Sequence, residues 1–492
     1  MQSALPLRQS PPDHRAQLGR IRFRRAVALM FMTLVLPGSA QLVAGRKQVG
    51  RIAMRIWFLL ILTVIGLLLI AVMSRSFVLW FATDSSMLSL VRFVLMILAV
   101  GWAYLFIDAW RIGEPLALAQ KQRLAMVGIN GVLCFSVAGS LLFASHVVAV
   151  NKDFLNTVFG DSKVTSAKDG RYNVLLLGGD SGADRWGMRT DSITVASIDA
   201  NTGKTILFGL PRNMLNFPFA KGSVLAQQFP HGYNCGSSCE LNSLATWAGD
   251  HKPLFKGFKH PGVEAETEAV EGITGLKINY FAMVNLKGFQ KMVDAVGGVT
   301  LKVRDSIPIG GVGGPVTGHI KPGTRKLNGY QTLWFARSRE SADDYSRMAR
   351  QKCVMNAMLH QISPTTVVFN FEKIAKASES LISTSIPQSE VDHFVSLALK
   401  ARSQPVRTIS FVPPLINTGK PDIAKIQRMV QNALHPPKKA KGSTGKSGTG
   451  TSVQAGGSSS TSAGDEGTTG GAIGNIHSGY VANQAADLTN AC

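Results

Sequence analysis

Three apolar runs in the first 150 residues are each long enough to cross a lipid bilayer. They occupy residues 52–73, 92–110 and 124–149, and about 20 apolar residues in a helix span the hydrocarbon core. The backbone of such a segment must satisfy its own hydrogen bonds, so a helix is the expected conformation. The sequence therefore predicts a helical membrane domain over residues 26–150, and membrane lipid is an expected partner.

A fourth apolar run, residues 26–45, is interrupted by a Pro-Gly-Ser turn and carries Gln41. Basic residues flank it on both sides, and positive flanks favour the cytoplasm. Those residues are Arg8, Arg15, Arg20, Arg22, Arg24 and Arg25 before the run, and Arg46, Lys47, Arg51 and Arg55 after it. We therefore expect residues 1–25 to be a basic cytoplasmic segment and residues 26–45 to form a re-entrant or interfacial hairpin.

The same rule predicts the orientation of the remaining chain. Loop 111–123 holds Arg111, Lys121 and Arg123 and faces the cytoplasm, so loop 74–91 and everything after residue 150 lie outside. The first run is not read as a cleavable signal peptide, because further spans follow it. The predicted location is the cell membrane, with several passes and an extracellular globular part.

The net charge of +22 does not indicate a nucleic-acid-binding protein. Residues 1–150 hold 15 Lys or Arg and only 4 Asp or Glu, so much of the excess flanks the apolar runs. No nucleic-acid-reading motif accompanies the charge. Nucleic acid is therefore excluded as an expected partner.

Residues 170–435 are predicted to form one α/β domain after a linker at 151–169. Short apolar strands and amphipathic helices alternate along it, which favours layered packing. The predicted strands are 173–177, 192–198, 205–208, 299–303 and 408–412, and the predicted helices are 264–273, 286–296, 328–335 and 345–362. Residues 436–492 are rich in Gly, Ser, Thr and Lys, a composition typical of a disordered tail.

Cys235 and Cys239 flank a Gly-Ser-Ser segment within this domain. An oxidising exterior favours a small disulfide loop there. A metal site, with His231 near, is the alternative, although a second pair of ligands is missing.

Two acids follow the first predicted strand in a Gly-rich setting. Asp180 and Asp191 stand at strand boundaries, where turns can direct both carboxylates to one spot. Mg²⁺ is typically held by one or two carboxylates together with substrate phosphates and water. Taken alone, the two acids are better explained by a turn residue at Asp180 and a cap or surface charge at Asp191.

Arginines cluster downstream of these acids. Arg212 follows a proline directly after the third strand, and the planar guanidinium fork suits phosphate oxygens. Further candidates are Arg337, Arg339, Asp344, Arg347, Arg350 and Gln351. Arg347 and Gln351 share one face of the predicted helix. An ordinary solvated cationic face is the alternative.

Together these segments resemble the LytR–CpsA–Psr family of bacterial cell-envelope proteins over roughly residues 170–365. The segments that carry the resemblance are 173–181, 189–192, 210–212, 240–242, 281–289, 293–299, 323–331, 337–339 and 344–351. A cysteine pair before the Leu-Asn step occurs in some actinobacterial members. The resemblance implies an extracytoplasmic α/β/α domain with a central mixed sheet and an apolar cavity for a lipid chain.

The resemblance also implies an activity. It is the transfer of an anionic glycopolymer, of teichoic acid, capsule or arabinogalactan type, from a polyprenyl-pyrophosphate carrier to peptidoglycan. Metal and arginines neutralise the charge that develops on a pyrophosphate leaving group. Implied roles fall on the following residues: Asp180 and Asp191 as ligands of Mg²⁺ or Mn²⁺; Asp180, Asp191, Arg212, Arg337 and Arg339 as catalytic; and Arg189, Asn242, Asp344, Arg347, Arg350 and Gln351 as substrate-binding.

The chain departs from the family pattern at three positions. Asn213 stands where Asp is common, Gly182 where Arg is frequent, and Glu240 where Lys often precedes the Asn motif. Arg185 or Arg189 is positioned to replace the second of these. Glu240 and Asn213 motivate a rival hypothesis, in which the domain binds polyprenyl phosphate as a non-catalytic or regulatory module.

Overall fold

The computed structural model describes residues 14–159, 164–179, 189–311, 314–340, 343–362, 382–436 and 488. The chain divides into two compact units, Met1–Asp153 and Phe154–Cys492. Asp180 and the sequence after residue 436, except Leu488, lie outside the described residues.

The first unit is helical. Its helices are α1 (His14–Val35), α2 (Ser39–Val43), α3 (Lys47–Met73), α4 (Arg75–Thr83), α5 (Ser85–Ile112) and α6 (Gln120–Val158). Three helical segments of the described chain are long and apolar enough to cross a membrane, namely Lys47–Met73, Ser85–Ala117 and Gln120–Asn156. They contain the three runs singled out in the sequence. Helix α6 continues into the segment predicted as a linker.

The interrupted run breaks where the sequence indicates. Helix α1 ends at Val35, Gly38 adopts a left-handed φ of 93°, and α2 begins at Ser39. The buried amide of Gln41 donates a 3.1 Å hydrogen bond to the Leu105 carbonyl, and Arg46 pairs with the buried carboxylate of Asp108. The amide nitrogen of Gln41 and one carboxylate oxygen of Asp108 thus each have a partner inside the unit, as buried polar groups usually do.

The second unit contains ten described strands. They are β1 (Arg171–Gly179), β2 (Thr190–Asp199), β3 (Thr205–Leu210), β4 (Tyr280–Asn285), β5 (Val299–Val303), β6 (Ile307–Gly310), β7 (Val316–Ile320), β8 (Gly323–Leu327), β9 (Ile382–Thr384) and β10 (Arg407–Ser410). The main sheet has the order β10-β3-β2-β1-β4-β9. β1 pairs with β4, and β10 with β3, in parallel, whereas the other neighbours are antiparallel. The sheet is mixed.

Helices cover both faces of this sheet. They are α7 (Val224–Gln228), α8 (Leu244–Asp250), α9 (Pro261–Thr274), α10 (Leu286–Ala295), α11 (Gly329–Arg337), α12 (Asp344–Gln361), α13 (Val391–Arg402) and α14 (Ile423–Leu434). Side chains alternate between the faces of a strand. In β1, Leu175 and Leu177 therefore join the core with α8, α9 and α14, whereas Leu176 and Gly178 face the opposite layer.

The opposite layer is formed by α10, α11 and α12. These three helices also pack on two small antiparallel sheets, β5–β8 and β6–β7. A hydrophobic cluster that includes Val293, Phe335 and Val354 joins the helices to those sheets. Helices α10 and α11 approach closely, since a Cβ at Gly329 would lie 2.0 Å from the Gln290 carbonyl oxygen. Only glycine fits at that position. The observed α/β/α layering confirms the fold class predicted from the sequence.

Candidate active site

A cavity of about 400 Å³ lies between the central sheet and helices α10, α11 and α12. Its walls are mostly apolar, with side chains from β1, β4 and all three helices. The apolar lining includes Leu176, Ala282, Val284, Leu286, Phe289, Met292, Leu333, Val354, Met355 and Met358. The polar lining includes Asp191, Ser192, Thr194, Asn285, Arg337, Arg347 and Gln351. The cavity thus combines an apolar interior with a small set of charged groups, as in sites for amphipathic ligands.

Asp191 and Arg212 meet because β2 and β3 are antiparallel. Ile193 near the start of β2 pairs with Leu210 at the end of β3, and Pro211 leads directly to Arg212. Arg212 Nη1 lies 2.7 Å from Asp191 Oδ1. The Asp191 carboxylate at the start of β2 is therefore held by the Arg212 guanidinium, which lies just after the end of β3.

Helix α12 supplies the second half of this ion-pair network. Arg212 Nε lies 3.1 Å from Asp344 Oδ1, and Arg347 Nη2 lies 3.0 Å from Asp344 Oδ2. Arg347 Nη1 also lies 3.6 Å from Asp191 Oδ1, and Arg339 Nη1 lies 3.8 Å from Asp344 Oδ1. Two carboxylates thus face three guanidiniums. Among these five described residues one positive charge is left over, which favours an anionic ligand.

Burial and charge act in opposite directions on these groups. Burial alone would raise the pKa of Asp344, but the guanidiniums of Arg347, Arg212 and Arg339 lower it below its ordinary value. Burial lowers the pKa of Arg347, which is 2% exposed, and its two carboxylate neighbours only partly oppose this shift. For Arg212 the carboxylates outweigh burial, so its pKa is raised. Asp344 is therefore ionised and paired with these arginines.

Arg337 and Gln351 line the cavity beside this network. The guanidinium carbon of Arg337 lies 5.9 Å from the centre of the Trp334 ring, and Gln351 Nε2 donates a 3.3 Å hydrogen bond to the Ala336 carbonyl. The Gln351 bond holds the C-terminal turn of α11 against α12, and the Trp334 contact lies within α11. The predicted grouping of Asp191, Arg212, Arg337, Arg347 and Gln351 is therefore present in space.

The structure places other predicted residues differently. Arg350 is 1% exposed and donates to the Ser338 carbonyl, so it ties α12 to the segment after α11. Asn242 is buried, and its backbone N–H donates a 2.9 Å bond to the Arg212 carbonyl. Arg350 and Asn242 thus hold the backbone next to the ion-pair network. Neither residue is part of the described cavity lining. Arg189 is exposed just before β2, and Asp180 lies outside the described residues.

Cys235 and Cys239 form a disulfide, with Cα atoms 5.2 Å apart. This selects the disulfide over the metal-site alternative. The bridge precedes Leu241, whose N–H donates a 3.0 Å bond to the Met214 carbonyl beside the Arg212 segment. The small loop therefore borders the backbone that carries Arg212.

Two buried titratable residues near the site were missed by the sequence reasoning. Glu266 on α9 accepts a hydrogen bond from the Thr190 hydroxyl, next to Asp191, and burial raises its pKa to about 8. Lys352 on α12 borders a small recess shared with Asp191, and burial lowers its pKa to about 7. In a helical sequence pattern each looks like an ordinary surface charge, so the sequence offers no signal for them.

Clustered metal ligands are lacking around Asp191 in the described part of the chain. No group of three His, Cys, Asp or Glu ligands occurs among the described residues. Both ion pairs of Asp191 use Oδ1, and Oδ2 accepts no hydrogen bond from a described residue. Mg²⁺ commonly takes one or two carboxylate oxygens and completes its shell with water and substrate phosphate. Asp191 fits a site of that kind.

A family model described as the LytR_cpsA_psr family matches residues 143–431. The chain belongs to the LytR–CpsA–Psr family. The match includes the mixed sheet, the cavity and the ion-paired residues that border it, and it confirms the resemblance drawn from the sequence motifs.

Two curated relatives illustrate the similarity. Biofilm regulatory protein A of Streptococcus mutans is 26% identical over 271 residues, which cover 54% of this chain and 62% of that protein. The polyisoprenyl-teichoic acid–peptidoglycan teichoic acid transferase TagU of Oceanobacillus iheyensis is 30% identical over 212 residues, covering 42% of this chain and 55% of the relative. The matched region thus spans less than two thirds of these family members.

The crystal structure of protein gbs0355 from Streptococcus agalactiae is also similar. It is 23% identical, with a TM-score of 0.42, and the match covers 54% of this chain and 88% of that one.

Proposed function

We propose that this protein is a membrane-anchored phosphotransferase that attaches an anionic glycopolymer to peptidoglycan. The donor is a glycopolymer linked to a polyprenyl pyrophosphate. The observation that carries the proposal is the cavity itself, whose apolar walls meet Asp191, Arg337 and Arg347. An apolar chain with an anionic head matches that combination. The name of the Oceanobacillus relative, a teichoic acid transferase, supports the same class of donor and acceptor.

The ion-pair network is suited to the pyrophosphate. In the proposed reaction an acceptor hydroxyl forms a bond to the polymer-side phosphorus and loses its proton, while the bridging bond breaks and polyprenyl phosphate leaves. Arg212, Arg339 and Arg347 already surround Asp344 and Asp191, so phosphate oxygens can share those donors. Preorganised donors stabilise the charge that develops during phosphoryl transfer.

Magnesium is part of this proposal. When bound, it supplies further neutralisation of the pyrophosphate charge. Asp191 would hold it through Oδ2, with Asp180 as the second acid ligand proposed from the family motif. Arg212 keeps the other oxygen of Asp191 fixed at 2.7 Å and so orients that carboxylate.

The proposed location is the cell membrane, with the three candidate helices as spans and the transferase domain outside the cell. Three such helices are present in the described residues, and the basic flanks favour this orientation. A cell-wall acceptor is reachable only from the outer side. Protease added to intact cells should therefore cleave the domain, whereas an inner-side domain would be protected.

Activity is tested with the full chain in lipid nanodiscs. It is incubated with a polyprenyl-pyrophosphate glycolipid, Mg²⁺ and peptidoglycan, and release of polyprenyl phosphate is measured together with labelled glycan on peptidoglycan. Asp191→Ala and Arg337→Ala should reduce both products, and Lys326→Ala on the exposed strand β8 should reduce neither. Binding of the glycolipid without release of product would contradict transfer and favour the non-catalytic alternative. Loss of activity with EDTA and recovery with Mg²⁺ or Mn²⁺ tests the metal separately.

A further inference from the structure

The segment between α8 and α9 is a basic stretch of the second unit. Residues 251–260, here called the basic loop, read His-Lys-Pro-Leu-Phe-Lys-Gly-Phe-Lys-His. The loop contains three lysines, two histidines and no acidic residue. Asp250 directly precedes it. Its net charge is thus positive at neutral pH.

Two large apolar side chains are exposed among these lysines. Leu254 is 40% exposed and Phe258 is 43% exposed, whereas Phe255 between them is only 2% exposed and anchors the loop in the core. Turn hydrogen bonds hold the shape, since Leu254 N–H donates to the His251 carbonyl at 3.0 Å and Phe258 N–H donates to the Phe255 carbonyl at 3.1 Å. The loop therefore presents an apolar pair and three ammonium groups on a fixed backbone.

The basic loop ends beside the first residues of its own domain. His260 Nε2 lies 3.5 Å from Ser383 Oγ on β9, and the neighbouring Thr384 forms a parallel bridge with Phe159. Phe159 follows α6, the helix that contains the third candidate span, directly in sequence. The end of the loop therefore lies close to Phe159, near the beginning of the second unit.

We propose that the basic loop binds the anionic surface of a lipid bilayer. Leu254 and Phe258 enter the headgroup region, and the lysines contact lipid phosphates. Exposed aromatic and aliphatic side chains flanked by lysines are typical of interfacial binding. Lysine stems can lie along apolar surface while their charges remain in the headgroup layer. Anionic lipid attracts each nearby lysine, so affinity depends on lipid charge and on salt.

This proposal is independent of the transferase chemistry. None of the loop's residues lines the cavity or joins the ion-pair network. Docking there would hold the domain at the bilayer surface, where a polyprenyl-linked donor resides.

A photo-crosslinker tests the contact in the full chain. Phe258 is replaced by p-benzoylphenylalanine, and the protein is placed in nanodiscs of phosphatidylcholine alone or mixed with phosphatidylglycerol. The matched control carries the same group at Tyr330, which is 46% exposed on α11. We expect lipid adducts at position 258 in the anionic nanodiscs, about tenfold fewer in phosphatidylcholine alone, and few at position 330 in either.

Variants that remove lysine charges distinguish binding of the basic loop to anionic lipid from mere proximity of the loop to the bilayer. Lys252→Gln, Lys256→Gln and Lys259→Gln together should reduce the adducts at position 258 about tenfold. The matched triple Lys302→Gln, Lys321→Gln and Lys326→Gln changes exposed lysines on β5, on the β7–β8 turn and on β8, and it should leave the adducts unchanged. Equal adduct yields at positions 258 and 330, or yields insensitive to lipid charge, would overturn the proposal. Glycan adducts in place of lipid, after peptidoglycan fragments are added, would overturn it in favour of a carbohydrate surface.

Discussion

The hydroxyl of Thr190 donates a hydrogen bond to Oε1 of Glu266, and Asp191 is the next residue along β2. Both partners are 0% exposed. Burial raises the pKa of Glu266 to about 8, and the hydrogen bond from Thr190 only partly opposes this. At pH 7 the carboxyl is therefore mostly neutral. It fixes the start of β2 without adding a second negative charge beside Asp191.

This arrangement predicts a pH-dependent stability. The folded pKa of about 8 lies above the ordinary value of 4.5. The contribution of Glu266 is thus complete below the unfolded pKa and is lost as pH rises through the folded pKa. Glu266→Gln keeps the shape and cannot ionise, so the decline in the midpoint of thermal unfolding between pH 5 and pH 9 should be smaller in this variant. Scans of the full chain in detergent measure it.

A matched exposed acid provides the control for that measurement. Asp250→Asn changes a surface carboxylate and should leave the decline unchanged. Glu264, whose pKa is raised to about 7 by burial and by Glu268 and Glu271, contributes with the same sign, so some decline remains in Glu266→Gln. An identical decline in wild type and Glu266→Gln would mean that Glu266 is already ionised.

Arg347 is predicted to be essential for folding as well as for the site. It is 2% exposed and lies 3.0 Å from Asp344 and 3.6 Å from Asp191. Removing one partner of a buried ion pair leaves an uncompensated charge and costs about 3–5 kcal/mol. Arg347→Ala should therefore lower the free energy of unfolding by about that amount.

A double-mutant cycle identifies the pair responsible. Asp344→Asn added to Arg347→Ala should destabilise the protein by less than the sum of the two single changes, by at least about 1 kcal/mol. Denaturant unfolding of the four proteins gives the coupling energy. Simple additivity would show that Arg347 does not stabilise the fold through Asp344, which leaves Asp191 and packing as its remaining contributions.

Much of the second unit could be predicted from its sequence, because the apolar patterns of its strands and helices match the burial of those elements in the fold. Strands β1, β2, β3 and β5 are apolar or alternating, and α10, α11 and α12 carry apolar stripes, so their positions are confirmed to within a few residues. Helix α11 even carries a complete capping box between Asn328 and Gln331.

Other elements were missed for physical reasons. In β4 the residues after Tyr280 are all half-buried, since one face borders the cavity, and the strand shows no polar alternation. Strands β6, β7 and β8 are rich in Gly, Pro, Lys or His, which are poor strand signals. The short helices α7 and α8 and the late helices α13 and α14 were also not predicted.

The site was predictable only as an ordered set of motifs. Arg212 and Asp344 are 132 residues apart in sequence, so their 3.1 Å contact cannot be read from local pattern. The family resemblance supplied the grouping. It did not separate Arg347, which faces both acids, from Arg350, which holds the Ser338 carbonyl, because both are arginines on one helix turn.

Arg339 is predicted to matter for activity and little for stability. It is 38% exposed and its nearest described carboxylate oxygen, on Asp344, is 3.8 Å away. Exposed pairs of this kind contribute about 0–1 kcal/mol to folding. Loss of a donor to the reacting phosphate reduces kcat by about 10²–10³. Arg339→Ala should therefore change the free energy of unfolding by only about 0–1 kcal/mol. In the transfer assay it should reduce kcat by about 10²–10³.

The exposed Arg428 on α14 is the control for that variant. Arg428→Ala should change neither stability nor transfer. If Arg339→Ala transfers glycopolymer at the wild-type rate, Arg339 makes no contact with the reacting phosphates.

Filling the cavity should weaken use of long-chain donors while leaving the fold intact. Ala282 lines the cavity from β4, and Ala282→Trp places an indole in the 400 Å³ space. If a polyprenyl chain occupies that space, KM for a long-chain donor should rise about tenfold or more, whereas a donor with a short lipid should be affected much less. The network residues are untouched, so kcat at saturating short-chain donor should stay near the wild-type value. The same change at exposed Ala424 on α14 is the control. Equal effects on long and short donors would place the lipid chain elsewhere.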